Sequence, residues 1–144
     1  MVCLGNICRS PLAEGILKSK VNSEDIFVDS AGTGPWHVGQ LPDPRSIEIA
    51  KKHGIDLTDQ RGRQFNQKDF LDFDYIFVMD NSNKSNVLQL AKNEVDLKKV
   101  QLILDELFPS ENVDVPDPYY GGDQGFESVF QMLDKACDEI VKRI

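Results

Sequence analysis

A chain of 144 residues, 40% of them apolar, is long enough for one domain built around a single core. A formal net charge of −8 and a pI near 4.7 exclude a nucleic-acid binder, because counterion release needs a basic face, so any anion site has to be a local exception. Three cysteines cannot all pair within one chain, and neither a leader nor a bilayer-length apolar run is visible, so a reduced, cytoplasmic protein that does not associate with membranes is expected.

The chain opens on Cys3-Leu4-Gly5-Asn6-Ile7-Cys8-Arg9-Ser10-Pro11, a cysteine and an arginine separated by five residues, followed by a predicted helix over residues 11–20. Pro11 suits the first helical turn, where its missing N–H costs nothing, and Leu12, Ile16 and Leu17 form an apolar stripe behind the loop. Apolar, strand-like runs at 26–28, 75–79 and 100–104 alternate with helical stretches at 44–53, 83–91 and 126–144. This alternation predicts a parallel sheet with helices on both faces. Gly121 and Gly122 make a turn ahead of the last helix, in which Val129, Met132, Leu133, Ala136, Cys137, Ile140 and Val141 recur at helical spacing. Cys137 is therefore a core residue, and a single domain over 1–144 is expected.

The Cys-x5-Arg spacing builds an oxyanion cradle. If the loop wraps, the backbone N–H groups of Leu4, Gly5, Asn6, Ile7, Cys8 and Arg9 turn inward, and the helix behind adds the positive end of its dipole. Such a site fits a phosphate dianion, and the same field holds Cys3 as a thiolate able to attack. Arg9 forks two N–H donors onto two phosphoryl oxygens, a geometry lysine does not reproduce. Asn6 and Ser10 read equally as loop and capping residues, Cys8 as a small loop filler, and Asp117, between Pro116 and Pro118, as a turn aspartate. Trp36 is a lone aromatic in a Gly-Pro loop, while Ser30 and Asp80 stand at predicted strand ends, where ligands sit in doubly wound sheets. His37 and His53 read as a loop-surface and a helix-end residue without metal-ligand spacing, and no metal or cofactor is expected.

The opening loop together with Asp117-Pro118-Tyr119-Tyr120 resembles the low-molecular-weight protein tyrosine phosphatases, and the resemblance covers nearly the whole chain. It implies a flavodoxin-like three-layer α/β/α domain, with a four-stranded parallel sheet and the phosphate loop after its first strand. It further implies a protein tyrosine phosphatase that hydrolyses phosphotyrosine proteins through a phosphocysteine intermediate and releases inorganic phosphate. Cys3 is then the nucleophile, Arg9 the transition-state stabiliser and Asp117 the general acid that later activates water. Asn6 braces a strained loop, Ser10 donates to the Cys3 sulfur, and Trp36, Tyr119 and Tyr120 wall a slot deep enough to select phosphotyrosine. A reversible Cys3–Cys8 disulfide protects the nucleophile.

Since the family has a central strand before the loop and only Met1 and Val2 precede Cys3, an incomplete N-terminus, with Met1 an internal methionine of the natural chain, is expected. Many members also carry a histidine in the segment matching 58–64, where it meets the equivalents of Asn6 and Glu14. Here Gln60 stands in its place, able to hydrogen-bond but not to be charged. Protein-arginine phosphatases share the loop with threonine where Ile7 stands, and a branched apolar side chain there favours an aromatic ring. Arsenate reductases need further relay cysteines, a part Cys137 fills poorly, and a non-catalytic phosphopeptide-binding module would lack Cys3 or Asp117.

Overall fold

Strands β1 (Val2–Cys3), β2 (Ala31–Gly32), β3 (Ile76–Val78) and β4 (Val100–Leu102) pair in parallel in the order β2-β1-β3-β4. They belong to a computed structural model that describes residues 1–144, the side chain of Asp123 excepted. Register runs Val2 to Ala31 and Cys3 to Gly32 on one side of β1, Val2 to Val78 on the other, and Ile76 to Val100 beyond. Both faces of this short sheet are buried, and alternation along each strand divides the core in two. Cys3, Phe77 and Met79 join the cluster holding Leu12, Ile16, Leu133 and Ile140, whereas Val2, Ile76, Val78, Val100 and Leu102 pack with Phe65, Phe70 and Val87.

The helices follow from those faces. Helices α1 (Arg9–Lys20), α2 (Pro44–Lys52) and α6 (Asp123–Val141) pack together on the first side, while α3 (Asp69–Asp72), α4 (Asn81–Leu88) and α5 (Glu94–Lys99) precede or follow β3 and β4. Asp43, Asp80 and Asn93 cap α2, α4 and α5 by accepting the N–H of Arg45, Asn83 and Asp96 at 2.8, 2.7 and 2.9 Å. Helix α1 differs, because Cys8 at its N-cap makes no side-chain capping bond and leaves the first-turn donors to other partners. Cys137 is fully buried in α6, its thiol pushed up to about 12 first by burial. Among the described residues, no helix is long and apolar enough to cross a membrane.

The predicted strand at 26–28 does not form. Asp25 and Ile26 donate back to the Asn22 carbonyl at 3.0 Å, closing a turn, and the ladder on β1 begins only where Ala31 donates to Met1 O at 2.9 Å. The run at 100–104 is strand as far as Leu102 and then tightens into a 3-10 turn at Ile103–Glu106. Helix α4 starts at Asn81 rather than at 83, because Asp80 caps it, and α1 starts at Arg9, which still leaves Pro11 in the first turn. Helices α3 and α5 are too short for their periodicity to register in the sequence.

Strand order reverses between β1 and β3, so the chain leaves these two neighbours toward opposite faces and opens a crevice at their carboxyl ends. Cys3 closes β1, and Asp80 follows β3 by two residues. The sheet thus sets both residues at one crevice.

Candidate active site

Asn6 adopts φ 56°, the left-handed turn that folds the loop back on Cys3. Its N–H donates to Cys3 Sγ at 3.2 Å, and its side chain is held at three points. Nδ2 donates to Ser10 Oγ at 2.8 Å and to Ser30 Oγ at 3.0 Å, while Oδ1 accepts the Arg63 N–H at 3.0 Å. Ser10 Oγ lies 3.0 Å from Cys3 Sγ and 3.5 Å from Ala31 O. Because Asn6 donates to that oxygen, the serine proton is free for the nearer of the two, the sulfur. Ser30 donates to Glu14 Oε1 at 2.6 Å, and Lys18 donates to Glu14 Oε2 at 2.6 Å, so the buried chain of bonds ends on a surface lysine. The N–H groups of Gly5 and Ile7 have no acceptor among the described residues and remain available to a ligand.

Arg9 lies beneath the loop and is 2% exposed. Its NH1 donates to Asp80 Oδ2 at 2.7 Å and to Val115 O at 3.0 Å, and its NH2 lies 3.6 Å from Asp117 Oδ2. Burial acts to lower its pKa, but Cys3, Asp80 and Asp117 more than offset burial and hold the guanidinium above its ordinary value. Asp117, 41% exposed at its side chain, accepts the Tyr119 N–H at 3.0 Å.

A cleft of about 210 Å³ is lined by Cys3, Leu4, Gly5, Ile7, Cys8, Arg9, Trp36, His37, Asp117, Tyr119 and Tyr120. Trp36 and Tyr120 are 63% and 93% exposed and form an apolar mouth, with Tyr119 edge-on to Tyr120 at 5.0 Å. The Trp36 ring lies over Gly34, where an added Cβ would come within 1.7 Å of it. Cys8 is buried beside the nucleophile, its thiol pushed up to about 12 by burial first and then by Asp43, Cys3 and Asp117. A larger cavity of about 440 Å³, among residues 25–29 and 72–75, is lined mostly by apolar and aromatic side chains with Asp25, Asp29, Asp72 and Asp74, and neither a cysteine nor an arginine lines it. The chemistry therefore points to the smaller one.

Ser30 and Asp80 act through contacts, the first on Asn6 and Glu14, the second on Arg9. Gln60 touches neither Asn6 nor Glu14 through a hydrogen bond. Its Nε2 donates to Pro11 O at 3.0 Å, and its Oε1 is buried without a partner. His37, read as a surface residue, lines the cleft and contacts Gln40 at 3.0 Å. His53 stacks on Phe130 at 4.0 Å, away from the cleft. Arg63, Val115 and the Asp43–Arg45 pair escaped the sequence reading. Two act through backbone atoms, which leave no residue-type signal, and the pair lies far from the loop along the chain. Among the described residues, no group of three or more His, Cys, Asp or Glu stands together as a metal site.

The family model described as low molecular weight phosphotyrosine protein phosphatase matches residues 1–144. The low molecular weight phosphotyrosine protein phosphatase of Schizosaccharomyces pombe is 42% identical, over 99% of this chain and 94% of its own. The crystal structure of a protein tyrosine phosphatase from Entamoeba histolytica, with Hepes in the active site, is 38% identical with a TM-score of 0.89, covering 99% and 92% of the two chains. The drosophila arginine phosphatase is 37% identical with a TM-score of 0.88, covering 98% and 93%.

Gly32 at the end of β2 lets the loop approach. A Cβ there would stand 2.8 Å from Leu4 O, 3.0 Å from Gly5 C and 3.1 Å from Asn6 N, all of them backbone. Gly32→Ala is expected to destabilise the fold by about 1–3 kcal/mol in urea unfolding and to weaken oxyanion binding. Unchanged stability and unchanged phosphate inhibition would refute this contact.

Proposed function

The chain belongs to the low molecular weight phosphotyrosine protein phosphatase family, and from that premise we propose that it hydrolyses phosphotyrosine in proteins by double displacement at Cys3, releasing inorganic phosphate. The reading is carried by the convergence of Asn6 N–H and Ser10 O–H on Cys3 Sγ at the floor of a cleft that the buried Arg9 also lines. Both hydrogen bonds are ones that a thiolate accepts. Three free thiols are in keeping with a reducing, cytoplasmic setting.

In the first step the Cys3 sulfur attacks phosphorus, the ester P–O bond breaks, and Asp117 gives its proton to the departing phenolate oxygen. With NH1 engaged by Asp80 and Val115, Arg9 turns Nε and NH2 to two phosphoryl oxygens, and the free N–H groups of Gly5 and Ile7 take further charge. In the second step the Asp117 carboxylate takes a proton from water as its oxygen attacks phosphorus and the P–S bond breaks. Ser10 stabilises the sulfur as it leaves. Burial pushes the Cys8 thiol up to about 12, which makes it a weak nucleophile toward phosphorus at neutral pH.

The apolar wall of Ile7, Trp36, Tyr119 and Tyr120 favours a flat ring over a polar guanidinium or a short serine ester. Phosphotyrosine peptides are therefore expected to outcompete phosphoserine and phosphoarginine peptides. Trp36→Ala should lower kcat/KM on phosphotyrosine peptides on the order of tenfold while phosphate inhibition stays constant. If phosphoarginine is the better substrate, as the likeness to the drosophila arginine phosphatase allows, the tyrosine reading is overturned.

A second outcome concerns oxidation. Peroxide would convert Cys3 to the sulfenic acid, and the Cys8 sulfur would then displace its oxygen as water and close a disulfide that thiols reduce. Because the Cys8 thiol sits near 12, this capture should quicken as pH rises. Cys8→Ala is expected to lose activity irreversibly under peroxide, and full recovery of that variant with a thiol reductant would exclude Cys8 as the resolving group.

A further inference from the structure

Arg45 has no part in the reaction just described, yet it joins the segments that form the cleft. Its Nε and NH2 donate to Asp43 Oδ1 and Oδ2, each at 3.0 Å, a fork that fixes the plane of the guanidinium. Asp43 is itself tied to the phosphate loop, its N–H donating to Ile7 O at 2.8 Å, and Ser46 on the same helix donates to Cys8 O at 3.3 Å. The Arg45 guanidinium carbon lies 4.7 Å from the ring centre of the buried Phe126 and 5.4 Å from that of Tyr119.

Tyr119 is where this assembly meets the acid. The segment around Asp117 is irregular, anchored upstream where Val115 donates to Met79 O at 2.8 Å and closed by a turn in which Gly121 donates to Pro118 O at 3.0 Å. Between these ties the Asp117 side chain is partly open to solvent, bonded to the Tyr119 N–H and 3.6 Å from Arg9. A contact on the Tyr119 ring therefore bears on the lateral position of this carboxylate, beside its ion pair with Arg9.

We propose that Arg45 is a positioning residue for the acid segment. Forked by Asp43 and lying over the rings of Tyr119 and Phe126, it holds residues 117–120 against the phosphate loop, where Asp117 reaches the leaving-group oxygen. An ordinary surface ion pair would contribute little, and lysine could keep the charge but not the fixed plane that meets both rings. The proposal rests on Asp117 being the general acid.

Leaving-group dependence of kcat/KM separates this role from a merely structural one, because a displaced acid matters most for esters that need a proton. Arg45→Met should lower kcat/KM about fivefold for phenyl phosphate and at most about twofold for p-nitrophenyl phosphate, with phosphate inhibition unchanged. Arg45→Lys should leave most of the loss in place, and it carries the same test if Arg45→Met is unstable. Once Asp117→Asn has removed the acid, adding Arg45→Met should cost nothing more. Equal losses on both esters, a parallel fall in phosphate inhibition, or a full-sized loss in the Asp117→Asn background would overturn the proposal. A flat leaving-group dependence in Asp117→Asn alone would remove the acid reading and this proposal with it, whereas a steep one there and a flat one in Arg45→Met would overturn only the role of Arg45.

Discussion

A left-handed backbone turn at Asn6 is the constraint on which the site depends, since φ 56° folds the loop so that its N–H groups and the Cys3 sulfur share one concavity. Such a conformation costs a residue with a side chain roughly 1–2 kcal/mol, and asparagine tolerates it better than most. Three side-chain bonds, to Ser10, Ser30 and the Arg63 N–H, use every polar group of the amide and offset the strain. Each partner lies on a different element or connection, so the loop takes its shape from the whole fold. Glycine would relieve the strain and lose all three bonds.

The electrostatic problem is to hold a cation and an anion binder inside a chain of net charge −8. Asp80 solves part of it by serving twice, one carboxylate oxygen capping α4 and the other fixing Arg9. The start of α1 solves another part, because no side chain takes up its first-turn donors as Asp43 and Asn93 do on their own helices. Placement at the crevice between β1 and β3 follows from strand order alone. Burial first, and then the carboxylates of Asp43 and Asp117, keep Cys8 protonated.

Local signals carried much of this in the sequence. The Cys-x5-Arg spacing, Pro11 and the stripe of Leu12, Ile16 and Leu17 announce a loop on a buried helix, and the apolar runs near β3 and β4 announce a sheet covered on both faces. What was not legible depends on tertiary pairing. The run at 26–28 has strand composition but falls outside the stretch that β1 pairs with. His37 looks like a surface residue until its loop folds over Gly5, and Gln60 reaches the Pro11 carbonyl rather than the loop asparagine, a bond that falls to the backbone of Arg63. Arg45 gave no signal because an arginine two residues after a capping aspartate is an ordinary helix start.

The most direct measurement is rapid quenching of turnover on a phosphotyrosine peptide, followed by location of the bound phosphoryl group. The account predicts a phosphoryl group on sulfur in the peptide that carries Cys3 and Cys8, retained in Cys8→Ala and absent from Cys3→Ser, with Cys3→Ser still binding phosphate. Label lost in Cys8→Ala, or turnover persisting in Cys3→Ser without a sulfur-bound intermediate, would contradict it.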